Sequence, residues 1–171
     1  MLSFDLRDLE RQAATVDGRL TAQDPVWEAG DARPADAVHA TGRLSKAGPG
    51  RYYWSGHIEG SAPLSCRRCL ADVAHPVRED VHLLYVEPGD EVADDPDAYR
   101  LPPRALNVDL REAVREQWLL AVPEFTLCRA DCKGLCPRCG ADWNAGPCDC
   151  PPETDSRWDA LKKVRHASES R

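Results

Sequence analysis

Six of the chain's eight cysteines fall between Cys128 and Cys150, in "CRADCKGLCPRCGADWNAGPCDC", and the remaining two form "SCRRCL" at Cys66 and Cys69. An even number of thiols at this density reads as a disulfide framework or as metal ligands. The N-terminus carries Asp5, Asp8 and Glu10 and no continuous apolar run, so it reads as neither signal peptide nor membrane span, and cytosol is the expected compartment. In a reducing compartment an even set of Cys-x-x-Cys pairs points to metal rather than disulfides.

Zinc takes four thiolates in a tetrahedron, and two of them come most economically from Cys-x-x-Cys in a tight turn. "CPRCG" has that form: Pro137 presets a turn dihedral and Gly140 tolerates positive φ. Cys136, Cys139, Cys148 and Cys150 then make one site closed by a short Gly-, Asn- and Pro-rich excursion. Cys66, Cys69, Cys128 and Cys132 make a second, which would cross-link a hairpin to a segment roughly 60 residues away and constrain the unfolded chain much as a disulfide does. The even spacing of "CRADCKGLC" also allows Cys132 and Cys136 to exchange. Two Zn2+ per chain are expected, with iron as the alternative occupant. Four thiolates leave no open coordination position, so no catalytic zinc is implied.

The rest of the chain supplies a scaffold. At 171 residues with a net charge of -7 it is a soluble globular chain, and any polyanion must meet a local basic patch. From Asp36 to Glu87 apolar residues alternate in three runs: Val38, Ala40, Gly42, Leu44; Tyr52, Trp54, Gly56, Ile58; and Val77, Val81, Leu83, Tyr85. This is the pattern of an antiparallel meander, with "SCRRCL" near a hairpin end. The N-terminal segment reads as a strand at Leu2 to Leu6 followed by a helical stretch. Glu87 to Asp97, with six acids, reads as a solvated loop. Leu110, Val114, Trp118 and Ala121 share one face of a helix that starts at an Asn107 or Asp109 cap and stops at Pro123. A short basic-flanked helix is expected over Asp155 to Ala167. Trp54, Trp118 and Trp158 are core candidates, while Trp27 and Trp143 fall in loops.

The fold class is therefore α+β: an antiparallel β meander, one main amphipathic helix and a zinc-bound cysteine-rich C-terminal segment. The expected organisation is a core over 1–127 containing the 66–69 ligand pair, a zinc-binding segment over 128–150, and a short helix and tail over 151–171. None of the five histidines is spaced with a carboxylate or serine as a catalytic set requires, and no phosphate loop or nucleophile elbow is present.

"CRRCL" at Cys66 to Leu70, "VDLREAVREQWLLAVP" at Val108 to Pro123 and "CKGLCPRCGADWN...CDC" at Cys132 to Cys150 occur in an order that resembles the cysteine-rich branch of the YceD family, bacterial and plastid proteins associated with accumulation of large-subunit ribosomal RNA. The resemblance implies a cytoplasmic, non-enzymatic factor in ribosome biogenesis, with ribosomal RNA, a large-subunit assembly intermediate, or a ribosomal or RNA-processing protein as partner, and neither membrane nor small-molecule substrate. Arg67, Arg68, Arg129, Lys133 and Arg138 sit inside or beside the metal turns and are the candidate RNA contacts; offsetting thiolate charge is the competing account of the same residues. A protein-docking adaptor and a zinc or thiol redox sensor are the alternative functions.

Overall fold

In the computed structural model, residues 2–95 and 98–151 are described. The helix expected over Asp155 to Ala167 lies outside them, with its Trp158. Five strands make the main sheet: β2 (Ala14–Thr21), β3 (Ala37–Gly48), β4 (Arg51–Ser65), β5 (Asp72–Val86) and β6 (Ala98–Arg100), in the order β2-β3-β4-β5-β6. The first four form the antiparallel meander, and β6 adds parallel to β5. A two-stranded ribbon joins β1 (Ser3–Asp5) to β7 (Asn107–Asp109), and the helices are α1 (Leu6–Leu9) and α2 (Arg111–Ala121). The α+β class holds.

The opening strand and the start of the expected helical stretch are β1 and α1, but the helix stops at Leu9 and strand β2 follows at Ala14. Its residues bury Val16, Gly18 and Leu20 on alternate positions, a period-two pattern too short and too polar to stand out in sequence until Ala14–Thr21 pairs with Leu44–Ala37. The helix α2 starts later than its proposed caps: Asn107 and Asp109 are held in β7, and Leu110 takes the cap position. Asp109 still serves the helix start, its Oδ1 accepting from the Arg111 amide at 3.0 Å. The helix ends at Ala121, just before Pro123, as the missing N–H of proline requires.

One face of the sheet is covered by α2 and the chain around it. Val38, Ala40, Leu44, Trp54, Ile58 and Val81 are buried in one core with Val114 and Trp118. Trp118 is fully buried, and its indole N–H donates to the carbonyl of Ala32 at 2.7 Å. Its ring lies so close to β4 that a Cβ on Gly60 would come within 2.8 Å of it. Trp27 lies in a loop, as expected, yet it is buried in this core, its indole N–H donating to Thr21 O at 2.7 Å. Arg115 on α2 makes a two-pronged contact with Asp31, at 2.7 and 3.0 Å, which fastens the 22–36 loop to the helix and holds the Asp31 carboxyl below the usual range.

Strands β4 and β5 pair over their whole length, from Arg51↔Val86 to Ser65↔Asp72. The hairpin therefore stays paired up to its tip, residues 66–71. The segment that leaves α2 returns beside that tip, where Thr126 bridges to Cys66 and accepts from the Arg67 amide at 3.0 Å.

Candidate metal centres

The hairpin tip "CRRCLAD" (66–72) and the later "CPRCGAD" (136–142) are the same turn built twice. In the first, the Cys66 amide donates to Ala71 O at 2.8 Å and the Leu70 amide to Cys66 O at 2.9 Å. In the second, Cys136 donates to Ala141 O at 2.8 Å and Gly140 to Cys136 O at 2.9 Å. Each turn closes into an antiparallel pair, Ser65↔Asp72 and Leu135↔Asp142, and each has positive φ at its fifth residue, 61° at Leu70 and 74° at Gly140. That kink turns the backbone around the two sulfurs.

All eight cysteines are free thiols, and they gather into two tetrads: Cys66, Cys69, Cys128 and Cys132; and Cys136, Cys139, Cys148 and Cys150. Within each, the Sγ atoms lie within 4.8 Å of one another. Cys132 thus groups with the hairpin cysteines and Cys136 with the C-terminal ones, the first of the two pairings the spacing permitted. Cys66 Sγ is 3.8 Å from Cys132 Sγ, and Cys69 Sγ is 3.6 Å from Cys128 Sγ. Metal–sulfur bonds of about 2.3 Å give a tetrahedron with edges of about 3.8 Å, whereas a disulfide needs about 2.05 Å. The sulfur spacing fits a tetrahedral metal ion.

The surroundings of the sulfurs fit the same ion. Amide N–H groups of Cys69, then of Cys128 and Arg68, point at Cys66 and hold its thiol down to about 6 against the desolvation of its buried position. The indole N–H of Trp143, 3.4 Å from Cys148 Sγ, and the Cys150 amide bring Cys148 to about 6 as well. Shared thiol hydrogen bonds push the partners up: Cys128 to about 12, chiefly through Cys132, and Cys150 to about 12, chiefly through Cys139. Each tetrad therefore has one sulfur prepared as a thiolate by fixed N–H dipoles, Cys66 or Cys148, and one, Cys128 or Cys150, whose proton a bound cation would displace.

The two tetrads are braced by Asn144, a residue that sequence reasoning did not single out. Its Nδ2 donates to Cys132 Sγ in the first tetrad at 3.5 Å, although Asn144 lies in the loop of the second. Its Oδ1 accepts from the Lys133 amide at 2.9 Å and from Arg129 Nη2 at 2.8 Å. Asp142 fixes its orientation, accepting from the Asn144 amide at 2.9 Å and from Nδ2 at 2.7 Å. The "D-x-N" spacing after a Cys-x-x-Cys turn is the local signal that marks it. Arg68 ties the turns from the other side, its Nη1 donating to Cys132 O at 2.7 Å and its carbonyl accepting from the Leu135 amide at 3.1 Å. Gly134 is required there, because a Cβ would fall 2.9 Å from that same carbonyl.

The five basic residues separate. Arg68, Lys133 and Arg138 line one cleft between the tetrads, together with Trp143. Arg67 points elsewhere, over the Phe125 ring at 5.2 Å. Arg129 is engaged by Asn144 and by Asp131, 3.3 Å from its Nε.

A family model described as large ribosomal RNA subunit accumulation protein YceD matches residues 54–165, a span that contains every cysteine. Uncharacterized proteins of Mycobacterium bovis and Mycobacterium tuberculosis are 30% identical over 102 residues, covering 58% of this chain and 48% of theirs. A chloroplastic large ribosomal RNA subunit accumulation protein YCED homolog 1 of Arabidopsis thaliana is 31% identical over 70 residues, 40% of this chain and 22% of that protein. The chain spans about half the length of the mycobacterial relatives it matches. No solved structure matches it.

Proposed function

The chain belongs to the YceD family, and on that premise we propose that it is a non-enzymatic, zinc-binding factor of ribosome biogenesis that promotes accumulation of large-subunit ribosomal RNA by binding that RNA or a large-subunit assembly intermediate in the cytoplasm. The observation that carries this reading is the pair of cysteine tetrads inside the family-matched span, with sulfur spacing and N–H donors suited to two Zn2+. Cys66, Cys69, Cys128 and Cys132 would hold one ion and Cys136, Cys139, Cys148 and Cys150 the other. When bound, each ion supplies a structural cross-link and no reactive position, since four thiolates complete its coordination.

The chain's own residues then do the recognition. The first tetrad clamps the β4–β5 tip to the segment after α2, and the second orders a loop that has few apolar residues of its own. Together they hold cationic side chains at fixed angles, which reduces the entropy lost when phosphates bind. No helix among the described residues is long and apolar enough to cross a membrane.

The test is fractionation of lysate on a sucrose gradient at low magnesium. Migration with large-subunit or precursor particles, released by ribonuclease, is the expected result. A position at the top of the gradient with and without ribonuclease would remove stable particle binding from the account.

One surface favours protein docking as a second reading. Leu70 and Phe125 are 67% and 61% exposed, one in the first metal turn and the other stacked under Arg67 of that turn. A partner bound there would associate with little salt dependence, in contrast to RNA.

A further inference from the structure

Between the two metal turns runs an open cleft of about 1030 Å³, walled by Arg68, Lys133, Arg138, Trp143 and the prolines Pro137 and Pro147. In a chain of net charge -7, no Asp or Glu lines it among the described residues, while three cations do. Of the four cysteines that line it, Cys132 and Cys136 are buried, at 1% and 4% exposure, and Cys148 and Cys150 are half-buried, whereas Arg68, Lys133 and Arg138 are exposed. The charged side chains that a ligand meets first are therefore cationic. Trp143 is 37% exposed, and its only polar atom is engaged with Cys148 Sγ, so what the ring offers the cleft is π-surface.

We propose that this cleft is a binding site for single-stranded RNA, with Trp143 as the platform on which an unpaired base stacks and Arg68, Lys133 and Arg138 as contacts to the flanking phosphates. The inference rests on the RNA-binding reading above and gives it a site. Duplex RNA is excluded on chemical grounds: its bases are already stacked, and an aromatic ring rewards a base only when that base is free. The volume exceeds that of most pockets for a single small molecule and suits an extended strand. The two turns also place Arg68 and Arg138 at the same position of "CRRC" and "CPRC", so the repeat presents one guanidinium from each wall. Arg68 keeps two nitrogens beyond the Nη1 that it gives to Cys132 O, enough for a phosphate oxygen. Arg67 and Arg129 lie outside the site, one over Phe125 and the other holding Asn144.

Fluorescence anisotropy on the zinc-loaded full chain tests this with a labelled ten-nucleotide single-stranded RNA, the same RNA as a duplex, and a ten-residue glutamate peptide. The wild type is expected to prefer the single strand. Arg68→Ala with Lys133→Ala and Arg138→Ala should weaken it at least tenfold and flatten the salt dependence by about 0.7 for each phosphate no longer neutralised. Trp143→Leu should weaken it about tenfold and Trp143→Phe should retain it, while Arg67→Ala with Arg129→Lys stays near wild type. Native mass spectrometry must show two metals in each variant, which separates the loss of stacking from the loss of the Cys148 partner. Wild-type affinity in the triple variant overturns the cleft while leaving RNA binding elsewhere on the protein intact. Failure of the wild type to bind either RNA overturns both readings, and equal, variant-sensitive binding of the glutamate peptide makes the cleft a protein-docking site instead.

Discussion

Leu70 and Gly140 occupy the same place in two copies of one turn, and both hold positive φ, 61° and 74°, although only one of them is glycine. Leucine in the left-handed region costs about 1–2 kcal/mol, and Leu70 recovers little by burial because it is 67% exposed. The fold therefore gains little from this leucine, which sits with Phe125 on the exposed surface of the first metal turn.

Leu70→Gly is accordingly expected to leave the melting temperature of the zinc-loaded protein unchanged or higher, since relieved strain offsets the extra freedom of the unfolded chain. Gly140→Ala, with open space around its Cβ but the wrong backbone preference, should lower stability by about 1 kcal/mol. Thermal melts of the two variants check both signs.

The sheet carries a tighter constraint at Gly42 and Gly56, which face one another across β3 and β4. A Cβ on Gly56 would lie 1.9 Å from Thr41 O and 2.8 Å from Gly42 Cα, all backbone and unable to yield. Gly56→Ala should cost roughly 3 kcal/mol or more and abolish soluble expression. Recovery of a folded Gly56→Ala protein with wild-type melting would contradict the close approach.

The tetrads should load independently in number but not in affinity. Native mass spectrometry is expected to find two zinc ions in the wild type and one in Cys139→Ser, whose cysteine is exposed and whose tetrad is local in sequence. Cys66→Ser should also lose one, with a larger drop in stability, because Cys66 is fully buried where the hairpin meets the segment after α2.

Asn144→Ala removes a donor to Cys132 Sγ from the loop of the other tetrad. Competition with a chelator should show the first site weakened roughly 10- to 100-fold. An unchanged first site would mean that the brace is structurally idle.

The metal-free protein should depend on pH through Cys66 and Cys148. Both thiols are held at about 6 in the fold against 9.0 for an ordinary thiol. Depressed values of this kind stabilise the fold fully above the ordinary value, and the benefit is lost as pH falls through about 6. The urea midpoint under reductant should therefore rise between pH 5.5 and 8.5, and the part of that rise due to these thiols should vanish in Cys66→Ser with Cys148→Ser.

Much of the site was legible because metal ligation is written in short-range spacing. Cys-x-x-Cys must be a tight turn, Gly140 advertises the φ that turn needs, and a thiol-rich loop poor in apolar residues has few other ways to become ordered. The alternation in β3, β4 and β5 and the stripe on α2 were equally local signals. Strand β2 was not, because its short polar pattern becomes a strand only when the edge of β3 offers its hydrogen bonds. The burial of Trp27 was hidden for a similar reason: it lies in a loop as its neighbours indicate, and only the packing of the 22–36 segment against α2 encloses it.

Ligand spacing and hydrophobic period act over a few residues, and they sufficed to read an α+β chain and to sort eight thiols into two sets of four, with only the exchange of Cys132 and Cys136 left open. The choice of Cys132 over Cys136 for the hairpin set, the Asn144 brace between the sets, and the division of five basic residues into three on the cleft and two engaged elsewhere come from tertiary contacts. Those features depend on bringing the tip of a hairpin against a segment some 60 residues later, a long-range closure that the packing of α2 on the sheet fixes and that no local pattern encodes.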